Sequence, residues 1–276
     1  MFTRILASKI INSDYHYVLN YTGNGGLSEV YGGLSVNLFD WLALGFNCYY
    51  MFGDVVNSKS VVFTEQGPAS IIQASSTRVT SVRFREGIQF FHEFDKHAFA
   101  VGAIFENQRK LNGQSVVAES SQLDTVWVLD DIGSTPMMWG VGASYCWNNR
   151  FTLAFDYSCT YWAKVNFVED FMDPLRNRNR YALGMEYRHN PLGRRYVDRM
   201  YWRLGCQMAD SYIEAMSAPD FLIGLGFGFP LRNAGTVFNA TIEYGHRGQI
   251  ASLKEDYMRL TISAAICEAW FMKRKL

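Results

Sequence analysis

Between Met137 and Trp162 the chain alternates between large apolar and small or polar residues with a period of two. Phe151, Leu153, Phe155, Tyr157, Cys159 and Tyr161 fall on one face of this stretch, and Thr152, Ala154, Asp156, Ser158 and Thr160 on the other. The preceding arm does the same, with Trp139, Val141, Ala143, Tyr145 and Trp147 against Gly140, Gly142, Ser144 and Cys146. Successive side chains of a strand point to opposite faces of the pleat, so this pattern predicts two β-strands. Asn148-Asn149 between them tolerates the positive φ that a tight hairpin turn needs. Each arm is about double an ordinary globular strand and matches the roughly 9–11 tilted residues that cross a bilayer core. Aromatic residues stand at both ends of the greasy face, where interfacial girdles belong. The stretch is a predicted transmembrane hairpin.

The same alternation recurs along the chain. A weak strand at Tyr15–Thr22 is expected to break at Gly23-Asn24-Gly25-Gly26, and a second to run through Val30–Leu38. Others are predicted over Leu42–Phe52, 78–93, Phe99–Phe105, Tyr181–Tyr187, Met200–Met208, Asp220–Pro230, Phe238–Tyr244 and from Tyr257 to Ile266. Glu86 interrupts an otherwise apolar face, for which the pattern offers no reason. The connections alternate in length. Those at 39–41, 94–97, 148–150 and 231–234 are short, with 190–199 intermediate; those at 53–77, 107–135, 164–178, 210–219 and 247–256 are longer and polar. Short turns on one rim and long loops on the other describe an antiparallel up-and-down outer-membrane barrel, here of about twelve strands in a single domain spanning 1–276. A soluble sandwich would use strands half as long.

Composition narrows the classes. No apolar run reaches eighteen residues, so no transmembrane helix is predicted. A net charge of zero gives no electrostatic case for nucleic acid. Hydrophobic content of 49% with mean hydropathy near zero fits a barrel whose polar lumen dilutes its lipid face. The opening MFTRILASKIINSD lacks the apolar core and cleavage site of a signal peptide. The five cysteines, Cys48, Cys146, Cys159, Cys206 and Cys267, show neither CxxC nor zinc spacing and read as packing residues.

Five stretches carry a resemblance: GNGGLSEVYGGLSVNLFDWLALGFN (23–47), WGVGASYCWNNRFTLAFDYSCTYW (139–162), RNRYALGMEYRHNP (178–191), DFLIGLGFGFPLR (220–232) and LKEDYMRLTISAAICEAWFMKRK (253–275). In this order they resemble outer-membrane barrels of the long-chain fatty acid transporter (FadL-like) family. The resemblance implies passive inward movement of a hydrophobic small molecule such as a long-chain fatty acid, across the outer membrane of a Gram-negative bacterium. It also implies fourteen strands and an N-terminal plug, neither of which is seen here, so an N-terminally truncated member and an incomplete barrel are expected.

No catalytic constellation emerges. His16, His92, His97, His189 and His246 lie apart, and Gly224, Gly226 and Gly228 alternate within a strand rather than forming a phosphate loop. No enzyme activity, cofactor or metal site is expected; membrane lipid is the expected surrounding. Arg180, Arg203, Arg259, Tyr31 and Tyr201 face away from the greasy side and are candidate lumen contacts for an anionic headgroup. The competing reading pairs the arginines with Glu186, Glu243 and Asp156. A barrel whose lumen is filled by ion pairs would instead serve as a scaffold or secretion-associated component.

Overall fold

The computed structural model describes residues 4–11, 16–63, 71–120, 124–165, 175–214, 219–231, 236–250 and 253–265. Its strands are β1 (Arg4–Ile11), β2 (His16–Phe39), β3 (Leu42–Phe63), β4 (Ile71–Phe94), β5 (His97–Glu106), β6 (Asn112–Ser120), β7 (Thr125–Leu129), β8 (Met138–Trp147), β9 (Phe151–Thr160), β10 (Arg178–Tyr187), β11 (Tyr201–Ala209), β12 (Asp220–Pro230), β13 (Val237–Ile250) and β14 (Leu253–Ala265). One antiparallel sheet runs in the order β1-β2-β3-β4-β5-β8-β9-β10-β11-β12-β13-β14, with β6 and β7 added beside the outer half of β4. This is a transmembrane up-and-down barrel wall. Among the described residues no helix is long and apolar enough to cross a membrane.

The predicted central hairpin is β8–β9, paired from Met138↔Thr160 to Trp147↔Phe151. Asn148 and Asn149 both take φ of 51°. Large apolar residues along the wall are about half exposed, among them Phe155, Leu183, Leu204, Leu225 and Ile242. The few buried apolar residues, such as Val79, Val117 and Ile132, lie instead towards the long-loop end. Apolar surface turned outward in a continuous band requires lipid, since water would penalise it by roughly 25 cal/mol per Å². Aromatic rows bound the band. At the short-turn rim Trp41 packs on Phe39 and Phe90, and Phe99 on Phe94 and Tyr145. At the other rim Tyr157 packs between Trp139 and Tyr181.

This frame explains Glu86. It is in register with Phe46 and Phe105, and Phe105 with Trp139 of the outer girdle. Eight residues above the short turn, on a strand tilted by some 40°, it stands about 20 Å up, near the outer rim of an apolar band about 25 Å tall. Two residues further along, the Arg109 guanidinium lies over the Phe84 ring at 5.2 Å.

Several expectations are corrected. Gly23–Gly26 does not break a strand; β2 runs through it, paired with β3 from Tyr17↔Phe63 to Phe39↔Leu42. The glycines let two backbones approach: at Gly25 (φ 97°) a Cβ would stand 2.1 Å from the Asp54 carbonyl oxygen. Segments 53–77 and 247–256 are not mainly loops, because β3 and β4 continue in register as far as Val61↔Ile71, and β13 and β14 as far as Ile250↔Leu253. Segment 107–135 is not only a loop: the β6–β7 hairpin lies within it, beside a wall of twelve strands, which brings the sheet to fourteen. Polar alternation on these extensions hid them, since outside the membrane neither face has to be greasy. Here Arg78 donates a hydrogen bond to Asp54 at 2.9 Å, which raises the pKa of this exposed guanidinium further. The closing aromatic and basic residues 270–275 and Cys267 lie outside the described residues.

Candidate functional site

The inward side of the wall is built from the small members of each alternating strand. Gly45 pairs with Gly87, Gly102 with Gly142, and Gly205 with both Gly184 and Gly224. Several of these positions face open space: a Cβ added at Gly45 or Gly184 meets nothing within 4 Å. The result is a cavity of about 700 Å³ walled chiefly by glycine, alanine and serine from seven strands, with Arg85, Gln89, Asp156 and Arg180 among its lining. A second space of about 440 Å³ shares Ala154 and Asp156 with it and extends past Gly184, Gly205 and Gly224 to Arg203 and Glu243.

Charged groups stand around these spaces in three clusters. Nearest the long-loop end, Glu106 accepts hydrogen bonds from Arg83 and from Arg85 (2.9 and 3.0 Å), and Arg83 also bonds Glu29. Both guanidiniums lie over the Tyr49 ring, at 5.5 and 5.0 Å, and Tyr31 stacks on the same ring at 5.5 Å between centroids. The Glu106 side chain is only 4% exposed, so two arginines are what keep its charge tolerable there. In the second cluster Arg203 donates to Glu186 at 2.7 Å and to Asn239 at 2.6 Å. The Tyr201 ring lies under the guanidiniums of Arg203 and Arg188, and its hydroxyl accepts from Arg188 at 2.6 Å. Gly228 makes this possible, because a Cβ there would come within 2.9 Å of Tyr201. In the third, Arg259 donates to Glu243 at 2.6 Å.

The five candidate residues are therefore not one site. Tyr31 belongs to the first cluster, Arg203 and Tyr201 to the second and Arg259 to the third. Arg180 stands apart: it donates to the Gln207 amide oxygen at 2.7 Å and lines the larger cavity with Asp156. Sequence reading missed Glu106 and Glu29. Their signal was parity, since each stands in phase with the small inward residues of its own strand. Among the described residues no three metal-binding side chains converge, and Cys48, Cys146, Cys159 and Cys206 are free thiols.

Comparison with known proteins gives the following. A protein-family model described as BamG matches residues 6–276. No curated protein matches. Among solved structures, the chain resembles the CymD monoaromatic hydrocarbon channel, with 16% identity over 95% of this chain and 76% of that one at a TM-score of 0.57. It also resembles a Pseudomonas aeruginosa FadL homologue, with 13% identity over 92% and 73% at a TM-score of 0.61. The Pseudomonas putida toluene transporter TodX shows 13% identity over 94% and 80% at a TM-score of 0.51. The wall thus has the fold of FadL-type outer-membrane barrels.

Proposed function

The chain belongs to the BamG family, and for this member we propose an outer-membrane barrel that takes up a hydrophobic small molecule passively through its lumen. The observation that carries the reading is the cavity of about 700 Å³ with small-residue walls and Arg180 on its lining. Its volume lies in the usual range for sites that hold small molecules. With their peptide groups paired in the sheet, the walls offer glycine methylene and alanine methyl surface to a ligand's body. Arg180, which among the described residues bonds a neutral amide and no carboxylate, offers charge-assisted hydrogen bonds to an anionic head such as a fatty carboxylate. The named cargo of the similar structures, monoaromatic hydrocarbon and toluene, supports a hydrophobic ligand by analogy of fold.

The test is purification in mild detergent followed by mass spectrometry of co-purified lipid, with fatty acid uptake into liposomes as the second readout. Arg180→Ala is expected to weaken retention of a fatty acid about tenfold or more, the scale of one hydrogen bond to a charged group, while the folded band keeps its heat-dependent mobility on a gel. Arg203→Ala acts differently: it strands Glu186 and Asn239, so it lowers stability and reduces uptake only in proportion. Equal uptake defects with equal unfolding in both variants would overturn the assignment of Arg180.

A second reading has its own support. The half of the lumen wall formed by β10–β14 carries Arg203–Glu186 and Arg259–Glu243, each pair joining adjacent strands, and these side chains take up space a ligand would use. A barrel acting as a scaffold needs such filling and no cargo. Absence of any bound lipid from protein extracted under native conditions, together with unchanged uptake in Arg180→Ala, would favour it.

A further inference from the structure

Beyond the lumen, the β6–β7 hairpin raises a separate question. β6 pairs with the outer half of β4 from Ile72↔Ser120 to Thr80↔Asn112, and β7 pairs with β6. Register carries the lipid-facing phase of β4 outward: Ile72, Val116, Val126 and Val128 all lie on the side that, lower down, meets hydrocarbon. They are exposed, Val126 by 64% and Val128 by 56%. Some eighteen residues along β4 from its short turn, this patch stands about 45 Å above that turn, well past an apolar band of about 25 Å. Lipid tails do not reach it.

β7 is also an edge. Its sequence, TVWVL, has neither the proline nor the lysine with which natural edges are blunted, and among the described residues it pairs only with β6. Its ends are acidic. Asp124 precedes it and Asp130 and Asp131 follow, with Asp124 bonded to Ser120 and Asp130 to Gln114. That charge selects the occupant. Antiparallel self-pairing centred on Trp127 would set Asp124 opposite Asp130 of the second copy at both ends, and like charges opposite one another are destabilising.

We propose that β7 is a docking edge for another protein, which adds an antiparallel strand of alternating small apolar residues flanked at both ends by lysine or arginine. Strand addition of this kind takes affinity from main-chain hydrogen bonds and specificity from side chains on alternate positions. The proposal does not depend on what the lumen carries.

The test uses the purified protein in mild detergent and two fluorescent peptides, KKTVTVTKK and EETVTVTEE. The basic-flanked peptide is expected to bind at least tenfold more tightly than the acidic one at low salt. Joint replacement Val126→Lys and Val128→Lys is expected to abolish that binding without altering lipid retention in the lumen. Joint replacement Asp124→Asn, Asp130→Asn and Asp131→Asn keeps the edge but is expected to erase the difference between the peptides. In cells, a photo-crosslinker at Val128 is expected to give a protein adduct. Equal binding of both peptides by the unaltered protein, no binding of either, a disulfide dimer formed when Val126→Cys and Val128→Cys protein are mixed, or crosslinking to lipopolysaccharide alone would overturn the proposal.

Discussion

Phe155→Arg is expected to destabilise the barrel by about 2–4 kcal/mol in a lipid bilayer, whereas Asp156→Asn next to it changes stability by no more than about 0.5 kcal/mol. The two residues are neighbours in sequence and opposites in surroundings. Phe155 is in register with Ala143 and Leu183, and its ring is 45% exposed on the outward face. Five residues above the Asn148-Asn149 turn, it stands about 13 Å into an apolar band of about 25 Å, near the midplane where a cation is least tolerated. Asp156 is in register with Gly142 and Ala182 and lines the lumen cavity, where water solvates it and its amide equally. Reversible urea unfolding in vesicles measures both. The penalty for arginine should fall when it is moved from 155 towards the rims, because a girdle position lets its head reach water. Equal unfolding free energies for the two variants would reverse the assignment of faces.

The contrast between these neighbours is legible in the amino-acid sequence alone, for a reason specific to membranes. Inside the bilayer one face of each strand must be greasy, so Phe151–Thr160 or Asp220–Pro230 declares its phase, its length and its solvent at once. Above the bilayer that constraint is gone. Lys59, Ser60, Gln73 and Ser75 continue their strands with little apolar signal, so a sheet extension reads as loop. The glycines at 23–26 mislead for a related reason. Four residues rich in glycine usually interrupt a strand, but here they let β2 and β3 approach while the ladder continues. At the lumen, the alternation of single strands sets the phase of the arginines and offers Glu186, Glu243 and Asp156 as partners without saying which arginine each meets. Glu186 reaches Arg203, and Glu106 reaches Arg83 and Arg85, because of register between strands, which alternation within one strand does not specify.

Val36→Cys combined with Ile262→Cys is expected to give no disulfide on oxidation in the outer membrane, while a bis-maleimide about 10 Å long joins the pair. The expectation comes from the direction of two free edges. Among the described residues, β2 from Asn24 to Phe39 pairs only with β3, and β14 pairs only with β13. Their outward residues are far more exposed than those within the wall: Leu34 by 82% and Ile262 by 74%, against 45% for Phe155. From β2 to β14 the sheet takes ten antiparallel steps, an even number, so both edges run the same way. They cannot meet directly as antiparallel neighbours. Unpaired N–H and C=O groups within hydrocarbon cost several kcal/mol each, so a wall that stays antiparallel throughout closes only with an odd number of strands between these edges. β1 already has the required direction and pairs with β2 from His16 to Gly23, just outside the free stretch. One intervening strand sets the two edges about 10 Å apart, beyond the Cα separation of about 7 Å that a disulfide can bridge. Leu225→Cys with Ile242→Cys, on the directly paired strands β12 and β13, serves as the positive control. A disulfide between positions 36 and 262 as efficient as that control would show that the two edges touch directly, as a parallel pair.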